Sequence, residues 1–335
     1  MFLDNYLFDI RRKSLFFIEE HYPALPLIVA LTYKCDMGCF YCYAKGLDTT
    51  YKEEMYIDNF IELIKWIKKQ QICKIMFVGG EPTQHSRFSE IAKLCTKNNL
   101  VCYMATNCAY SENINDVIAK NIKVLFVNCS TGYAATKKSD LLNKLRFLSR
   151  YGTKLILKVN ISTANFGEID WIRDAAKELK ARIRIGIINS TVVKDGPAGI
   201  EKIRSFIFYI EGFARQCIRD KVYIYLARPL PRCFFNGDEW RRLRGSILIK
   251  SKCFIGYRGN YASRVVVNPD LSVFGCFNNL KRAESILNFS SINQLSIFYK
   301  DIFQDKIKKC FLVNSKKCNN LIKFVCSGGC FANVI

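Results

Sequence analysis

Short apolar runs alternate with segments of helical periodicity along the first two thirds of the chain. The runs are residues 26–33, 74–80, 101–107, 123–130, 154–162 and 182–189. Between them, apolar residues recur at the spacing of one helix face, as at Ile57, Phe60, Ile61, Ile64 and Ile67. Short, continuously apolar strands that alternate with amphipathic helices are typical of a parallel sheet covered by helices. The sequence therefore predicts an α/β fold, a partial (β/α)6 TIM-like barrel.

The character of the chain changes near residue 230. A helix predicted over 198–217 leads to one more strand-like run at 221–229. After it the chain becomes rich in turns and is marked by cysteines. We therefore predict two domains, a partial barrel over residues 1–229 and a small cysteine-rich domain over residues 230–335.

The composition limits the setting in which the cysteines act. The chain has 335 residues, 16 cysteines and a formal net charge of +22. No apolar run approaches the roughly 20 residues of a membrane-spanning helix, and residues 1–13 lack the apolar core of a secretory signal. We therefore expect a cytoplasmic protein without a membrane segment, whose cysteines serve metal binding, catalysis or packing rather than disulfides.

Six of the cysteines lie in or beside apolar segments, where cysteine is an ordinary small buried residue. They are Cys73, Cys95, Cys102, Cys108, Cys129 and Cys217. We predict that these six belong to the core.

Three other cysteines directly follow the first strand, as Cys35-x3-Cys39-x2-Cys42, with Gly38 able to form a tight turn. Closely spaced thiolates of this kind can bind a four-iron cubane cluster, and three of them leave one iron without a protein ligand. An open coordination position distinguishes a catalytic metal site from a closed structural one. A zinc site and a chance group of buried cysteines are alternatives that the spacing leaves open.

The pattern Cys35-x3-Cys39-x2-Cys42, with Tyr41 before the last cysteine, resembles the signature of radical S-adenosylmethionine (radical SAM) enzymes over residues 25–225. The resemblance implies that the three cysteines bind a 4Fe-4S cluster whose open iron is chelated by S-adenosyl-L-methionine. It implies reductive cleavage to a 5′-deoxyadenosyl radical that abstracts hydrogen from a substrate. A reductant such as flavodoxin or ferredoxin would supply the electron, and Tyr41 would lie beside the adenine.

The second strand ends in Gly79-Gly80-Glu81-Pro82, which by itself is a common turn sequence. One strand after the cysteine loop, it is similar to the family's GGE motif, which binds the methionyl amino group. The resemblance extends to polar residues near later strand ends, which would hold the ribose and the carboxylate of the cofactor. They are Thr106, Asn107, Ser130 and Asn160. Each also fits a plain role as a strand-end or turn residue.

A second group of cysteines lies in the turn-rich C-terminal region: Cys253, Cys276, Cys310, Cys318, Cys326 and Cys330. They could ligate one closed iron–sulfur cluster or two incomplete ones, and a structural zinc site is an alternative. The order of features resembles the SPASM and twitch extensions of radical SAM enzymes, which bind auxiliary iron–sulfur clusters.

The match to that extension is partial. The family has glycine in the turn five residues before the second cysteine, where this chain has Leu271. The spacing from Cys310 through Cys318 to Cys326 also differs from the family pattern. The resemblance therefore implies one auxiliary 4Fe-4S cluster rather than two. Cys233 could substitute for one of its ligands.

The resemblance implies a peptide or protein substrate, which the enzyme would crosslink, epimerise or oxidise. Sulfatase-maturing members use an acidic residue for proton removal, and no counterpart can be placed here, because Phe277 follows Cys276. The roughly 25 residues before the first strand are too few to fold as a leader-binding domain. We therefore expect a separate leader-binding protein or recognition by the C-terminal domain.

Basic residues are concentrated between 228 and 264 and are interleaved with aromatic residues. They are Arg228, Arg232, Arg241, Arg242, Arg244, Lys250, Lys252, Arg258 and Arg264. The stretch could line a mouth for an acidic peptide or bind RNA phosphates. An RNA-modifying or small-molecule radical SAM enzyme is thus an alternative, and a zinc-stabilised nucleic-acid-binding protein is the alternative outside enzymes. His21 and His85 are isolated, and we expect them to be structural.

Overall fold

The computed structural model describes residues 26–45, 47, 54–161, 169–187, 200–227, 236–247, 262, 264–276 and 279–315. The chain divides into two compact units. The first unit consists of Leu25–Leu157 and Phe254–Phe303. The second unit contains Lys158–Cys253 together with both ends of the chain. The predicted boundary between residues 229 and 230 lies outside the described residues.

Parallel strands form the centre of the first unit. They are β1 (Leu27–Thr32), β2 (Lys74–Gly79), β3 (Val101–Thr106) and β4 (Ile122–Asn128). Each pairs in parallel with the next, and their ends fall within two residues of the predicted runs. β1 is buried along its whole length, as expected of a strand covered on both faces. The α/β prediction is therefore confirmed for this part of the chain.

Helices connect these strands. They are α1 (Ile57–Lys69), α2 (Phe88–Lys97), α3 (Asn113–Asn121), α4 (Gly132–Thr136) and α5 (Lys138–Arg150). The face of α1 that is buried carries Phe60, Leu63 and Ile67, at the spacing expected of a helix that covers a sheet. Ile61 was predicted for this face but is only partly buried, and Trp66 is buried instead, with Nε1 donating to Phe289 O at 2.7 Å.

The second unit continues the alternation of strands and helices. Its elements are the end of β5 (Lys154–Ile161), α6 (Asp170–Glu178), β6 (Arg182–Ile187), α7 (Ile200–Arg219), β7 (Ile224–Leu226) and α8 (Gly237–Ser246). β6 pairs in parallel with β7. The predicted helix at 198–217 is present as α7, and the predicted strand at 221–229 is shorter than expected. α8 begins with a capping box between Asn236 and Glu239.

The C-terminal part of the first unit adds strands beside β1. They are β8 (Val266–Val267), β9 (Ser272–Cys276) and β10 (Asn279–Ser285). The long helix α9 (Ile292–Ser315) follows, and the first unit includes it only as far as Phe303. β8 pairs in parallel with β1, and β9 is antiparallel to both β8 and β10. The strand order in the first unit is β10-β9-β8-β1-β2-β3-β4-β5. β1 thus has β2 on one side and β8 on the other.

Five of the six cysteines predicted for the core are buried: Cys95, Cys102, Cys108, Cys129 and Cys217. The prediction was wrong for Cys73, which is exposed. Cys73 precedes the first residue of β2 and therefore lies at the edge of the sheet rather than inside it. Among the described residues, no helix is long and apolar enough to cross a membrane.

Candidate active site

The cysteine loop starts where β1 ends. Gly38 has a φ of +54°, a left-handed conformation that glycine adopts without steric cost, so the predicted turn is confirmed. The amide of Cys42 donates to Cys39 O at 3.0 Å, which folds the second half of the loop into a tight turn. Cys35 is exposed, and Cys39 and Cys42 are partly buried.

The close approach of the end of β1 requires glycine at two positions at the end of β2. A Cβ at Gly79 would lie 2.0 Å from Thr32 O, and one at Gly80 would lie 2.2 Å from Lys34 O. The amide of Gly80 donates to Thr32 O and that of Glu81 donates to Lys34 O, both at 2.8 Å. The glycines therefore fix the start of the cysteine loop against the end of β2. Their predicted contact with a cofactor stays a prediction.

The Glu81 carboxylate is buried and accepts four hydrogen bonds. Its Oε1 accepts from the amide and hydroxyl of Thr83, at 3.3 and 2.8 Å, and from the Thr106 hydroxyl at 2.8 Å. Its Oε2 accepts from the Asn107 amide at 2.7 Å. Burial raises the pKa of Glu81, and these hydrogen bonds oppose the increase. Glu81 thus ties the end of β2 to the end of β3.

Asn107 connects the end of β3 to the first cysteine. Its Nδ2 donates to Cys35 Sγ at 3.7 Å, and its Oδ1 accepts from the Ala109 amide at 2.7 Å. Desolvation raises the pKa of Cys35 to about 11, with smaller contributions from the charges of Glu81 and Cys42. At neutral pH the thiol therefore carries its proton until a metal displaces it.

Two tyrosine hydroxyls anchor the last cysteine. The Tyr41 hydroxyl lies 2.8 Å from Ser130 O and 3.3 Å from Asn128 Oδ1, at the end of β4. The partly buried Tyr43 donates through its hydroxyl to Gly79 O at 3.1 Å, and desolvation raises its pKa well above the ordinary value. The loop is thereby attached to the ends of β2 and β4. Ser130, predicted as a cofactor contact, presents its carbonyl to Tyr41.

The structure brings most of the predicted residues to one edge of the sheet in the first unit. There Asn107 is hydrogen-bonded to Cys35 and Glu81, and Tyr41 is hydrogen-bonded to Ser130. Asn160 belongs to the second unit, where it is buried and a Cβ at Gly186 would lie 2.4 Å from its Oδ1.

Sequence reasoning missed several residues that hold this site together. Thr83, Tyr43 and Asn128 supply hydrogen bonds to it, and none belongs to a pattern that predicts such a role. Thr83 follows Glu81 by two residues, a spacing at which a side chain often bonds to nearby backbone. This spacing could have predicted the hydrogen bonds between the two residues.

His85 is structural, as expected. It is buried, and its Nδ1 accepts from the Arg87 amide at 3.0 Å. Its Nε2 therefore carries the proton and donates to Met55 O at 2.9 Å. The ring fastens the segment before α1 to the turn after Glu81.

The donor set of the cysteine loop fits an iron–sulfur cluster. It consists of three thiols on one loop with a turn at Gly38, and three cysteine ligands leave one iron of a four-iron cubane open. Within the described residues, no group of three or more histidine, cysteine or acidic side chains is placed to hold one metal ion.

The C-terminal cysteines are mostly outside the described part of the chain. Cys276 ends β9 and is buried, and Cys310 lies within α9 with its side chain not described. The others outside the described residues are Cys233, Cys253, Cys318, Cys326 and Cys330. Leu271 has a φ of +66°, so it occupies a left-handed turn position at which the resemblance implies glycine.

Part of the basic stretch is described, and its charges are partly neutralised locally. Arg241 pairs with Asp238, and Arg242 Nε lies 3.7 Å from Glu211 Oε1. Arg228, Arg232, Lys250, Lys252 and Arg258 lie outside the described residues, as does the side chain of Arg244. Arg241 and Arg242 thus give no added support to an RNA-binding surface.

Residues 29–183 match the family model described as the Radical SAM superfamily. The matched segment runs from β1 into β6 and includes the cysteine loop, Glu81 and Asn107. It thereby covers the edge of the sheet described above.

Two curated proteins illustrate the similarity of sequence. A protein of Methanocaldococcus jannaschii, named as a glycyl-radical enzyme activating enzyme, is 26% identical over 169 residues, which are 48% of this chain and 65% of that protein. A protein of Thermococcus kodakarensis, named as a GTP 3′,8-cyclase, is 28% identical over 98 residues, which are 29% of this chain and 32% of that protein. The chain spans less than two thirds of the length of these relatives.

Solved structures are similar over most of the chain. SuiB of Streptococcus suis bound to precursor peptide SuiA covers 96% of this chain and 76% of its own, with a TM-score of 0.64 and 15% identity. Native anSMEcpe with bound AdoMet covers 91% of this chain and 89% of its own, with a TM-score of 0.64 and 16% identity. At such identities the likeness shows the fold, and it confirms the predicted class of an α/β partial barrel. Residues 29–183, a little under half of the chain, therefore form a Radical SAM superfamily domain.

Proposed function

We propose that this protein is a radical SAM enzyme that modifies a peptide or protein. The observation that carries the proposal is the extent of the structural likeness. SuiB bound to a precursor peptide and anSMEcpe bound to AdoMet and a peptide cover 96% and 91% of this chain. The likeness therefore includes β8 to β10 beside β1, well beyond the segment matched by the family model.

The residues at the edge of the sheet have distinct proposed roles. Cys35, Cys39 and Cys42 hold a 4Fe-4S cluster, and Gly79 to Glu81 hold the methionine end of S-adenosyl-L-methionine. When bound there, the cluster and S-adenosyl-L-methionine would supply the radical chemistry that abstracts hydrogen from the substrate. Tyr41, Asn107 and Ser130 contact the same cofactor in this proposal.

The remaining parts of the chain complete the proposal. A C-terminal domain over residues 230–335 would hold one auxiliary 4Fe-4S cluster. Its ligands would be drawn from Cys253, Cys276, Cys310, Cys318, Cys326 and Cys330. A flavodoxin or ferredoxin in the cytoplasm would supply electrons, and a separate leader-binding protein would present the peptide.

Anaerobic reconstitution with iron and sulfide tests the first half of the proposal. We expect iron uptake and dithionite-dependent formation of 5′-deoxyadenosine, both abolished when Cys35, Cys39 and Cys42 are replaced by alanine. Cys73→Ala is the matched control, because Cys73 is exposed and lies outside the loop. Uptake of zinc without iron, or cleavage that survives the triple substitution, would overturn the assignment.

The substrate is tested separately. Short peptides encoded next to the gene would be incubated with the reconstituted enzyme, and their mass and fragmentation spectra compared before and after turnover. We expect one of them to change mass and to accelerate formation of 5′-deoxyadenosine. No change with any such peptide would contradict the peptide proposal while leaving the radical chemistry intact.

A small-molecule or protein-activating role is the second candidate, because the curated relatives are named as a GTP 3′,8-cyclase and a glycyl-radical enzyme activating enzyme. GTP consumption, or a glycyl radical signal on an added partner enzyme, would favour it. An RNA substrate would instead be indicated by tRNA binding that weakens steeply with salt.

A further inference from the structure

Lys144 is a buried charged side chain on α5 that belongs to no predicted motif. Its Nζ donates to Tyr110 O at 2.6 Å, to Tyr133 Oη at 2.8 Å and to Cys108 O at 3.2 Å. Asp140 Oδ2 lies 3.1 Å from the same nitrogen. Burial by itself would lower the pKa of Lys144, but the contacts with Tyr133 and Asp140 raise it, so the ammonium group stays charged.

The two carbonyls that Lys144 binds belong to the loop between β3 and α3. Cys108 has a φ of +61° in this loop, a left-handed conformation that is unfavourable for a residue with a side chain. A backbone of this kind persists only where surrounding contacts hold it. The buried ammonium group supplies such contacts on both sides of Ala109.

The other side of the same loop faces the candidate active site. The residue before Cys108 is Asn107, whose amide donates to Glu81 and whose side chain donates to Cys35 Sγ. Thr106, one residue earlier, donates to Glu81. Five consecutive residues thus join Lys144 on one side to the first cysteine and the Glu81 carboxylate on the other.

We infer that Lys144 is a positioning residue of the radical SAM site, which holds the loop after β3 so that Asn107 keeps its hydrogen bond to Cys35. The inference rests on the proposed function in one respect, since it assigns Cys35 as a cluster ligand. Hydrogen bonds to the sulfurs of a cluster are among the factors that set its reduction potential. Lys144 would therefore influence that potential without touching the cluster.

The first test uses the full-length protein without cofactor. Lys144→Met should increase amide hydrogen exchange at residues 106–110 by about tenfold or more, because two buried carbonyls lose their donor. Lys120→Met, an exposed lysine on α3, is the matched control and should leave these amides unchanged. Equal exchange in Lys144→Met and the unaltered protein would overturn the inference.

The second test measures the reduction potential of the reconstituted cluster. Lys144→Met and Asn107→Ala should each shift it to more negative values, since each removes the hydrogen bond to Cys35. The reduction potential of the double variant should be no more negative than that of Asn107→Ala alone. Additive shifts would mean that the lysine acts through its charge, and they would overturn the positioning role.

A milder variant guards against loss of folding in Lys144→Met. Tyr133→Phe removes one acceptor of the lysine and leaves the two loop carbonyls in place, so a smaller change in the same direction is expected for both measurements. Failure of the proposed function would look different, because exchange at residues 106–110 would respond while no cluster formed. A cluster that cleaves S-adenosyl-L-methionine normally, with exchange and potential insensitive to Lys144, would refute the inference alone.

Discussion

The two neighbours of β1 are attached to it in different ways. On the β2 side, the contact is made by backbone, and it leaves no room for a Cβ at Gly79 or Gly80. On the β8 side, two residue pairs form the register, and side chains complete the contact, with Tyr33 Oη donating to Asn268 Oδ1 at 2.7 Å. The first arrangement depends on glycine, whereas the second depends on polar and apolar side chains.

This difference bears on how readily each part of the chain can be recognised from its sequence. Where backbone meets backbone, only glycine fits, so the motif at residues 79–81 can be read directly. Where side chains make the contact, other residues can serve. Leu271 stands in a left-handed turn beside β9 and is buried, so apolar burial there offsets the conformational cost that glycine would avoid.

The largest effect is expected from adding a Cβ to a glycine on the β2 side of β1. Gly80→Ala would place a Cβ 2.2 Å from Lys34 O and 2.5 Å from Tyr33 O, which forces the strands apart and should destabilise the protein by about 3 kcal/mol or more. Chemical denaturation measures this. Gly132→Ala is the control, because a Cβ there would meet open space, and its stability should be unchanged. If both variants were equally stable, the β2 side would not depend on glycine as described.

The next largest effect is a dependence of stability on pH, which comes from Glu54 on the β2 side of β1. Burial would raise the pKa of Glu54, but hydrogen bonds from Ser86 and Lys34 outweigh it and hold the pKa at about 2. Since the folded value lies below the ordinary 4.5, the carboxylate stabilises the fold above that pH, and its contribution is lost as the pH falls through about 2. Glu54→Gln should remove about 1–2 kcal/mol of stability at neutral pH and flatten the acid limb of the curve.

That contribution is measured by denaturation at several pH values between 2 and 7. Glu62→Gln serves as the control, because Glu62 forms an exposed pair with Lys65 and should barely change the curve. An acid limb that is the same in Glu54→Gln as in the unaltered protein would contradict the prediction.

On the β8 side, a single hydroxyl should matter. Tyr33→Phe leaves the buried Asn268 Oδ1 without its donor, and should cost about 1–2 kcal/mol in the free energy of unfolding. Tyr151→Phe removes a hydroxyl from a residue that is 62% exposed and should have no measurable effect. Equal stabilities would mean that β8 is held by its strand pairing alone.

The smallest effect concerns Leu271, where the usual order of stability between an alanine and a glycine variant should be reversed. Both Leu271→Ala and Leu271→Gly lose the buried side chain, but only glycine also relieves the left-handed conformation. The glycine variant should therefore be more stable than the alanine variant by about 0.5–1 kcal/mol. At an ordinary position the order is the opposite, so finding alanine to be the more stable variant would show that the turn carries no strain.

The sequence predicted those features that have a local pattern. The strands β1 to β6 appear as apolar runs, and the cysteine spacing and Gly38 turn lie within eight residues. The contacts that organise the site join residues far apart in the chain, such as Tyr41 with Ser130 and Lys144 with Cys108. No periodicity or spacing encodes such pairs. Parallel pairing of β8 with β1 likewise joins strands separated by most of the chain.

The tyrosines on either side of Cys42 have a thermodynamic consequence. Their hydroxyls close chain segments of 89 and 36 residues, so Cys42 loses its conformational freedom when the protein folds. When a metal group binds to Cys42, this residue is already ordered, so binding costs little further conformational entropy. More of the intrinsic binding free energy then appears as affinity, and removing either hydroxyl would weaken binding without removing a ligand.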